Sequence, residues 1–394
     1  MLGPLDGIKV VDLSRFISGP YCGLLLADMG AEVVKVEKKG GEDTRHAPPF
    51  VKEDSLYAAS LNRNKRAITL DFRHELAGEV LTRLFKWADI IIENFRPGTL
   101  EKMGFSPEVI HEINPRAIIT RCSGFGQNGP YSSRPGFDAI GQAMSGLMSM
   151  TGREEDPPLL SGTFVVDYAT GLHAAVGTLS ALYRRNETGK GQVVDVSLYE
   201  SAVSMLVAAI PTYYLTGQLP QRVGNGDRYA APVNAYKAKD GWIYLSAPNN
   251  GLWKKLCELM KREDLLGLPH LKTEADRVEH KKELDEIVQK WVSTYTKEEV
   301  LNLLIQKGIP CAPVQNIDDL LQDSHLKDRE QIVYLEHPTA GKMPLSGVTI
   351  KLSDTPGKIR YNPPLVGQNN EEIYQNELGY SKYEFNQLKA KGVL

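Results

Sequence analysis

The first two hundred residues alternate between short β-branched runs and longer segments with helical periodicity. Strands are predicted at 8–13, 32–37, 67–71, 89–93, 117–122 and 192–198, and helices at 21–29, 75–87, 107–113 and 168–185. Parallel strands need a crossover connection, and a helix is the usual one. The alternation therefore predicts an α/β fold with a doubly wound, Rossmann-like parallel sheet and helices on both faces.

A second, smaller domain is predicted because 394 residues are too many for one ordinary core. Gly, Pro, Asn and Asp cluster at 216–232, which we interpret as a linker. The region after it contains a predicted strand at 242–247 and predicted helices at 252–261, 274–291 and 296–306. From about residue 323 the chain is irregular and Pro-rich, with a helical tail near 370–391. We predict a large domain from 1–215 and 325–394, and a small α/β domain over 233–322.

Composition excludes several classes of protein. The 46 basic and 49 acidic residues give a net charge of −3, which argues against a general nucleic-acid binder. No apolar run approaches the ~20 residues of a spanning helix, and the N-terminus shows no targeting segment. The four cysteines form no CxxC unit and the eight histidines are scattered, so we predict no disulfide framework and no protein-bound metal. We expect a cytoplasmic protein without a membrane partner.

Residues 124–129 match the dinucleotide motif G-x-G-x-x-G after a predicted strand. That motif requires a helix to begin there, and Pro130 and Pro135 prevent it. The segment is therefore either a flexible active-site loop or an ordinary surface loop. The chain also lacks a P-loop and a G-x-S-x-G elbow, which disfavours an ATP-driven ligase of that type and a serine hydrolase.

Basic residues flank the predicted strands of the large domain. They are Lys35, Lys38 and Lys39 after the second strand, 62–66 and Arg73 around the third, and 94–98 with Lys102 after the fourth. The carboxyl ends of parallel strands form the edge where ligands bind, and each charge-assisted hydrogen bond contributes about 1.5–3 kcal/mol. Several cations and an aromatic ring at this edge favour a phosphorylated nucleotide such as coenzyme A. For any single residue the alternative is a solvated charged face.

Asp167 lies between the apolar residues 164–166 and the longest predicted helix. One interpretation is that its carboxylate caps the helix and accepts backbone hydrogen bonds. The other is that partial desolvation makes it a nucleophile. Asp138, which precedes another predicted helix, has the same two interpretations. We expect His173, further along the long helix, in the interior.

Several short segments occur in an order and spacing typical of one enzyme family. They are 7–13, Gly19-Pro20, 26–33, 62–66, 93–98, 189–192, Gly367-Gln368, Glu371-Glu372 and 378–380. On these segments the chain resembles the class III CoA-transferases, the formyl-CoA transferase and carnitine CoA-transferase family, over essentially its full length. The resemblance implies transfer of coenzyme A from an acyl-CoA to a small carboxylic acid, with no permanently bound cofactor. It also implies an interlocked homodimer of ring-shaped chains with the active site between subunits.

The resemblance also implies roles for individual residues. The position of the catalytic aspartate corresponds to Asp167. The residues that we expect to bind coenzyme A, most of them at family contact positions, are Lys38, Leu70, Arg73, Asn94, Phe95, Arg96, Lys102 and Arg134. The residues that we expect at the substrate pocket are Ile17, Phe137, Asp138, Gly224 and Gly226.

Three of these positions depart from the formyl-CoA transferase pattern. Ile17 stands where that enzyme has a glutamine, Phe137 where it has a tyrosine, and 224–229 where it has a glycine-rich loop. These departures disfavour formyl or oxalate as substrate and favour a larger or less polar acyl group.

The implied mechanism proceeds through an aspartyl mixed anhydride and then an aspartyl-CoA thioester. With the reference pKa of ~3.9, we expect Asp167 to be ionised at neutral pH without an adjacent base. One alternative is an α-methylacyl-CoA racemase on the same fold, but Phe137 stands where that enzyme has a histidine base. The other alternative is a non-catalytic CoA-binding homologue, and the intact Asp167 argues against it.

Overall fold

The computed structural model describes residues 3–394, which divide into two compact units. Within the described residues, unit 1 consists of 3–148, Leu160–Ile210 and Ser324–Leu394, and unit 2 consists of Ser149–Leu159 and Pro211–Asp323. The predicted small domain, 233–322, lies within unit 2, and so does the segment 216–232 that we interpreted as a linker.

Thirteen strands lie within the described residues. In chain order they are β1 Lys9–Asp12, β2 Glu32–Glu37, β3 Phe50–Val51, β4 Asp54–Ser55, β5 Arg66–Thr69, β6 Ile90–Glu93, β7 Ile118–Ser123, β8 Val193–Ser197, β9 Val233–Ala238, β10 Gly241–Ser246, β11 Cys311–Pro313, β12 Ile332–His337 and β13 Gly341–Ser346.

The same residues contain seventeen α-helices, several of them of a single turn. They are α1 Ser18–Asp28, α2 Leu56–Asn62, α3 Ala77–Trp87, α4 Thr99–Lys102, α5 Pro107–Ile113, α6 Asp138–Ser145, α7 Val165–Thr188, α8 Leu198–Ser204, α9 Ala209–Thr216, α10 Asn250–Met260, α11 Glu274–Glu279, α12 Lys281–Val292, α13 Lys297–Gln306, α14 Ile317–Gln322, α15 Ser324–Asp328, α16 Asn370–Glu372 and α17 Lys382–Ala390. None of the helices in 3–394 has the length and apolar character that crossing a bilayer requires.

Unit 1 is built on a six-stranded sheet in the order β5-β2-β1-β6-β7-β8, with every neighbouring pair parallel. The predicted α/β fold with a parallel sheet is therefore confirmed. From β1 the chain proceeds outward through β2 to β5, and it then returns to place β6 on the other side of β1. Ligands of open α/β sheets bind at such a switch point, outside the carboxyl ends of the two strands. The switch point here lies between β1 and β6.

The two faces of this sheet carry separate apolar cores because successive side chains of a strand point in opposite directions. Val10 and Ile90 belong to the core that includes residues of α1 and α7. Val11 and Ile91 belong to the core that includes residues of α3, α5 and α17. Each fully buried aliphatic side chain contributes about 1.5–3 kcal/mol. Helices thus cover both faces, and only the strand ends are left to form a site.

Unit 2 contains the antiparallel sheet β11-β10-β9. Its core combines strand residues such as Ile243 with Trp253 of α10, Val288 of α12 and Leu304 of α13, all buried. Helix α13 begins with a capping box, because Thr296 and Glu299 each accept the other's backbone N–H through their side chains. This unit is a compact α/β body with a core of its own.

Two predicted segments differ from the structure. The predicted helix 274–291 is two helices, α11 and α12, which meet at His280. The region after 323 was expected to be irregular, and this was wrong, because β12 and β13 form an antiparallel hairpin there. Pro344 pairs with Tyr334 inside it. A two-stranded ribbon has a free edge on each strand, so a residue without an N–H is tolerated.

Candidate active site

Two hydrogen bonds join the chain after β1 to the chain after β6. Asn94 follows β6 directly, and its Oδ1 accepts the backbone N–H of Arg15 at 2.7 Å. Its Nδ2 donates to the carbonyl oxygen of Arg15 at 2.6 Å. The next residue, Phe16, has a φ of 62°, a left-handed conformation that is uncommon for an aromatic residue. The side chain of Asn94 therefore fixes the loop after β1 at the switch point.

A first cavity of about 270 Å³ opens at this place. Of the residues predicted to bind coenzyme A, it brings together Asn94, Phe95, Arg96 and Arg134. Arg15, which the sequence analysis did not single out, also lines it, so three guanidinium groups surround one cavity. The Arg134 guanidinium stacks on the ring of Tyr131 at 3.8 Å. A cavity with three arginines and an aromatic ring suits an anionic, aromatic ligand.

Lys38 does not line this cavity itself but forms an ion pair with a residue that does, Asp43. Asp43, which lines it, accepts from Lys38 Nζ at 2.7 Å and from Arg15 Nη1 at 2.9 Å. Although partial burial opposes the shift, the hydrogen bond from Lys38 and the charge of Arg15 hold the pKa of Asp43 below its usual range. Lys38 therefore contributes to the charge balance without lining the cavity.

Three other residues predicted to bind coenzyme A do not line the first cavity. Leu70 is fully buried and belongs to the core beneath α3. Arg73 and Lys102 are exposed to solvent. Their predicted contacts with the coenzyme stay predictions.

Several of the cations predicted at the ligand edge have structural partners instead. Lys35 and Lys65 are fully buried, and both pair with Asp12, at 3.4 and 2.9 Å. Although burial opposes it, these two charges lower the pKa of Asp12 to about 2. Arg63 is also buried and pairs with Asp28 at 2.6 Å. Interpreting these three cations as part of a ligand-binding rim was wrong, because each neutralises a buried carboxylate.

Asp138 is the residue that caps α7. It is the first residue of α6, and its Oδ1 accepts the backbone N–H groups of Val166 and Asp167 at 2.8 and 3.1 Å. Its Oδ2 accepts from Gln142 Nε2 at 2.6 Å. Asp138 therefore has a capping role, but at α7 and not at the helix that it was expected to cap, and it satisfies two of the free amides of the first turn of α7.

Because Asp138 caps α7, the carboxylate of Asp167 is not needed to cap that helix. Its side chain is hydrogen-bonded to Ser18, and Asp167 as a whole is 8% exposed. Burial, and next the charge of Asp138, raise the pKa of Asp167 to about 7 against that hydrogen bond. This differs from the expected ordinary pKa, and burial is the main cause. Asp167 lines the first cavity and also a second one.

The second cavity, of about 440 Å³, has aromatic walls. The rings of Tyr57 and Phe164 are stacked, with centroids 6.1 Å apart and planes at 9°. Phe16 and the predicted pocket residue Phe137 make an edge-to-face pair at 5.4 Å. Phe137 is 58% exposed. The cavity therefore offers apolar surface directly beside Asp167.

The other residues predicted at the substrate pocket lie elsewhere. Ile17 is 1% exposed and lines neither cavity of unit 1. Gly224 and Gly226 belong to unit 2, where they line a separate cavity of about 620 Å³. His173 was expected in the interior, and this was wrong, because it is exposed on α7 and its Nδ1 bonds to the carbonyl oxygen of Ala169.

The glycine motif at 124–129 belongs to a loop of the first cavity. Gly124 and Gly136 both line this cavity, and a Cβ on Gly124 would lie 2.9 Å from the Cα of Gly136. Only glycine allows the two backbone segments to approach so closely. The next helix of the described chain begins at Asp138, so the motif provides no helix N-terminus for a pyrophosphate. Across 3–394 no group of three or more His, Cys, Asp and Glu is placed to hold a metal ion.

Some lining residues could have been found from the sequence. Arg15 and Phe16 follow β1, so the rule that singled out Asn94 after β6 applies to them equally. Tyr57 and Phe164 carry no such signal, since neither follows a strand of the large sheet.

Comparison with known proteins gives consistent results over the whole chain. The profile of CoA-transferase family III matches residues 5–370. The chain is 37% identical to the succinyl-CoA–D-citramalate CoA-transferase of Chloroflexus aurantiacus, covering 99% of this chain and 98% of that one. It is 36% identical to the formyl-CoA:oxalate CoA-transferase of Streptomyces coelicolor, covering 99% of each. A crystal structure of a CAIB/BAIF family protein from Brucella suis matches with a TM-score of 0.85 at 32% identity, covering 96% of this chain and 100% of that one.

Proposed function

Because the chain belongs to CoA-transferase family III, we propose that it transfers coenzyme A from an acyl-CoA donor to a free carboxylic acid, with Asp167 as the nucleophile. The observation that supports this most is the situation of Asp167. Its carboxylate is buried and is not used to cap its own helix. It also lies where a cavity lined by arginines meets a cavity lined by aromatic rings.

The first cavity is assigned to the coenzyme. Its three arginines suit phosphate groups, and Phe95 provides an aromatic surface. Asn94 fixes the loop that carries Arg15. The second cavity is assigned to the acyl group, which places the thioester carbonyl next to Asp167.

The proposed reaction exchanges one thioester for another. A carboxylate oxygen of Asp167 attacks the thioester carbonyl, and the C–S bond breaks to release the thiolate and leave a mixed anhydride. The thiolate attacks the Asp167 carbonyl, which releases the donor acid and forms an aspartyl-CoA thioester. The acceptor carboxylate then repeats the exchange in reverse and regenerates the Asp167 carboxylate. No ATP is consumed, since the two thioesters are of similar energy.

The surroundings of Asp167 favour the acylated state. Burial and the charge of Asp138 both penalise an ionised Asp167, and they raise its pKa. Acylation removes the charge from Asp167, so it relieves both penalties. A raised pKa also makes the carboxylate a stronger nucleophile once it is ionised. The positive end of α7 lies at the same place and suits the oxyanion that forms during each attack.

Hydroxylamine trapping tests this assignment. With an acyl-CoA and hydroxylamine, we expect a hydroxamate on the peptide that contains Asp167, detected by mass spectrometry. Asp167→Ala should lower CoA transfer by roughly a thousandfold or more. The control is Asp156→Ala, which removes an exposed carboxylate of unit 2. Full turnover in Asp167→Ala would refute the mechanism.

The racemase alternative is disfavoured by the lining of the site. Racemisation needs a base on each side of the α-carbon. No histidine is among the described residues that line the two cavities of unit 1, and Phe137 has no proton to move. Exchange of the α-proton into deuterated water without CoA transfer would favour the racemase instead.

The proposed oligomer is a homodimer. Helix α7 exposes an apolar stripe, consisting of Leu172, Val176, Leu179 and Tyr183, at a spacing that places the four side chains on one face. Val176 is 64% exposed and Tyr183 is 72% exposed, and a partner chain would bury them. Interlocking of the two chains rests on the family resemblance. The cytoplasmic location stays a prediction.

A further inference from the structure

The second cavity contains acidic side chains but no basic ones. Asp138 and Asp167 line it, and the described residues around it include no Lys, Arg or His. A carboxylate bound deep in this cavity would face two acidic side chains, and no described lining residue of the same chain would supply a counter-charge. The nearby arginines, Arg15 and Arg134, line the first cavity, and Arg15 is already paired with Asp43.

Gln142, Asp138 and Ser161 of this cavity already make hydrogen bonds within the chain. Gln142 donates through Nε2 to Asp138, and its Oε1 accepts the backbone N–H of Ser161 at 3.0 Å. The hydroxyl of Ser161 donates to the carbonyl oxygen of Thr163 at 2.6 Å. A polar acyl group that paired with any of these three side chains would have to break a bond already made, which disfavours it.

The walls offer aromatic contact in two orientations. The stacked pair Tyr57 and Phe164 forms one, and the edge-to-face pair Phe16 and Phe137 forms the other. Rings that enter such an environment gain contact energy beyond the area they bury. Leu160 adds aliphatic surface.

We propose that this pocket accepts monocarboxylic acyl groups with a hydrocarbon body, aromatic ones in preference, and discriminates against acyl groups that carry a second carboxylate. The inference rests on the proposed function, because it requires the second cavity to hold the acyl group. It distinguishes this chain from relatives whose names specify succinyl-CoA, such as the D-citramalate enzyme of Chloroflexus aurantiacus.

A matched pair of donors tests the charge requirement. Butyryl-CoA and succinyl-CoA have the same number of acyl carbons and differ in the distal carboxylate. We expect kcat/KM for acylation, measured by hydroxamate formation, to be about 100-fold or more higher with butyryl-CoA. We expect 3-phenylpropionyl-CoA to exceed butyryl-CoA. Equal or faster acylation by succinyl-CoA would overturn the proposal and leave the transferase assignment intact.

A variant with one added cation tests whether the lack of a positive charge in the second cavity causes the discrimination against succinyl-CoA. Leu160→Arg places a positive charge at the cavity wall and should reduce the butyryl to succinyl ratio by about tenfold or more. Leu352→Arg makes the same change at an exposed leucine outside the cavity and should leave the ratio unchanged. An unchanged ratio in Leu160→Arg would also overturn the proposal.

Acylation by none of these three donors would count against the proposed function, and calorimetric binding of the same donors would still decide the specificity. Tighter binding of butyryl-CoA than of succinyl-CoA would support the pocket assignment. Equal affinities, or tighter binding of succinyl-CoA, would contradict it.

Discussion

Asp138 and Asp167 are two buried carboxylates in different surroundings, and we assign a structural role to Asp138 and a chemical role to Asp167. Asp138 accepts three hydrogen bonds, two of them from the backbone of α7, whereas the side chain of Asp167 is hydrogen-bonded to Ser18. Hydrogen-bond donors stabilise an ionised carboxylate, and burial without them destabilises it. Neighbouring acids in different environments are a common arrangement where one of them reacts.

The pH dependence of the reaction follows from this difference. Only ionised Asp167 attacks, so kcat/KM should rise with pH through an apparent pKa near 7. Asp138→Asn removes the second cause of the raised pKa and should move the acidic limb of the profile to lower pH. Burial remains the larger cause, so the limb should stay above the ordinary aspartate range. Matched pH–rate profiles of the two proteins make the measurement, and an unmoved limb would contradict it.

At the residue scale, the sequence was sufficient to select Asp167 but not to separate its two interpretations. The residue that caps α7 lies 29 positions before Asp167, and nothing local marks the contact. The same limit explains Lys35 and Lys65. Their partner Asp12 lies on β1, 23 and 53 positions earlier in the chain, so two buried ion pairs resembled a ligand-binding patch.

Helix α7 begins without a capping residue of its own. Phe164 precedes it and makes no side-chain cap, so the first turn depends on the carboxylate supplied by α6. At its other end Gly189 adopts a left-handed φ of 71°, as is usual for a helix terminus. The first turn of α7, which carries the proposed nucleophile, is therefore capped by a residue of another helix, Asp138 of α6.

Loss of this cap should affect stability and local order together. Asp138→Ala is expected to lower the free energy of unfolding by about 1–2 kcal/mol and to speed amide exchange in the first turn of α7. Asp138→Asn keeps an acceptor and should retain most of the protection. The measurements are urea unfolding and hydrogen exchange read by mass spectrometry.

Ser106→Ala is the matched control, because Ser106 caps α5 through its own side chain. It should lower stability by a similar amount without a change in α7. Unchanged exchange at the start of α7 in Asp138→Ala would mean that Asp138 does not hold this turn.

Elements with strong local signals were predicted well. β2 and α5 have the predicted bounds, and Ser106 and Pro107 give the start of α5 the residue types that are typical of a helix N-terminus. Strands that are stabilised mainly by pairing with another strand were not predicted from the sequence. The hairpin β12–β13 is one, since a proline within a strand is a local argument against a strand.

At the scale of the whole molecule, the alternation of strands and helices was sufficient to predict the parallel sheet. It could not predict that Ser149–Leu159 leaves unit 1 and joins unit 2. In that segment Arg153 forms a β-bridge with Val223, seventy positions further along the chain. Pairing at such a distance leaves no periodic pattern in the sequence.

The proposed dimer can be tested through the exposed face of α7. Light scattering after size exclusion should give twice the chain mass of 43.7 kDa. Val176→Lys places a charge in the apolar stripe and should destabilise the dimer, because a buried unpaired charge is costly. Val51→Lys, at an exposed valine outside α7, is the control. A monomeric wild type would refute the dimer.

Unit 1 is assembled from three stretches of chain, and its last stretch completes a core that its first stretch begins. Tyr374, Phe385 and Val393 are buried with the strand residues of the sheet, and Asp71 donates its N–H to the carbonyl oxygen of Val393 at 2.7 Å. During synthesis on the ribosome, the N-terminal strands emerge long before the residues that cover them. Unit 2 is synthesised before 324–394, so one apolar core of unit 1 stays partly exposed to solvent until this last stretch has left the ribosome.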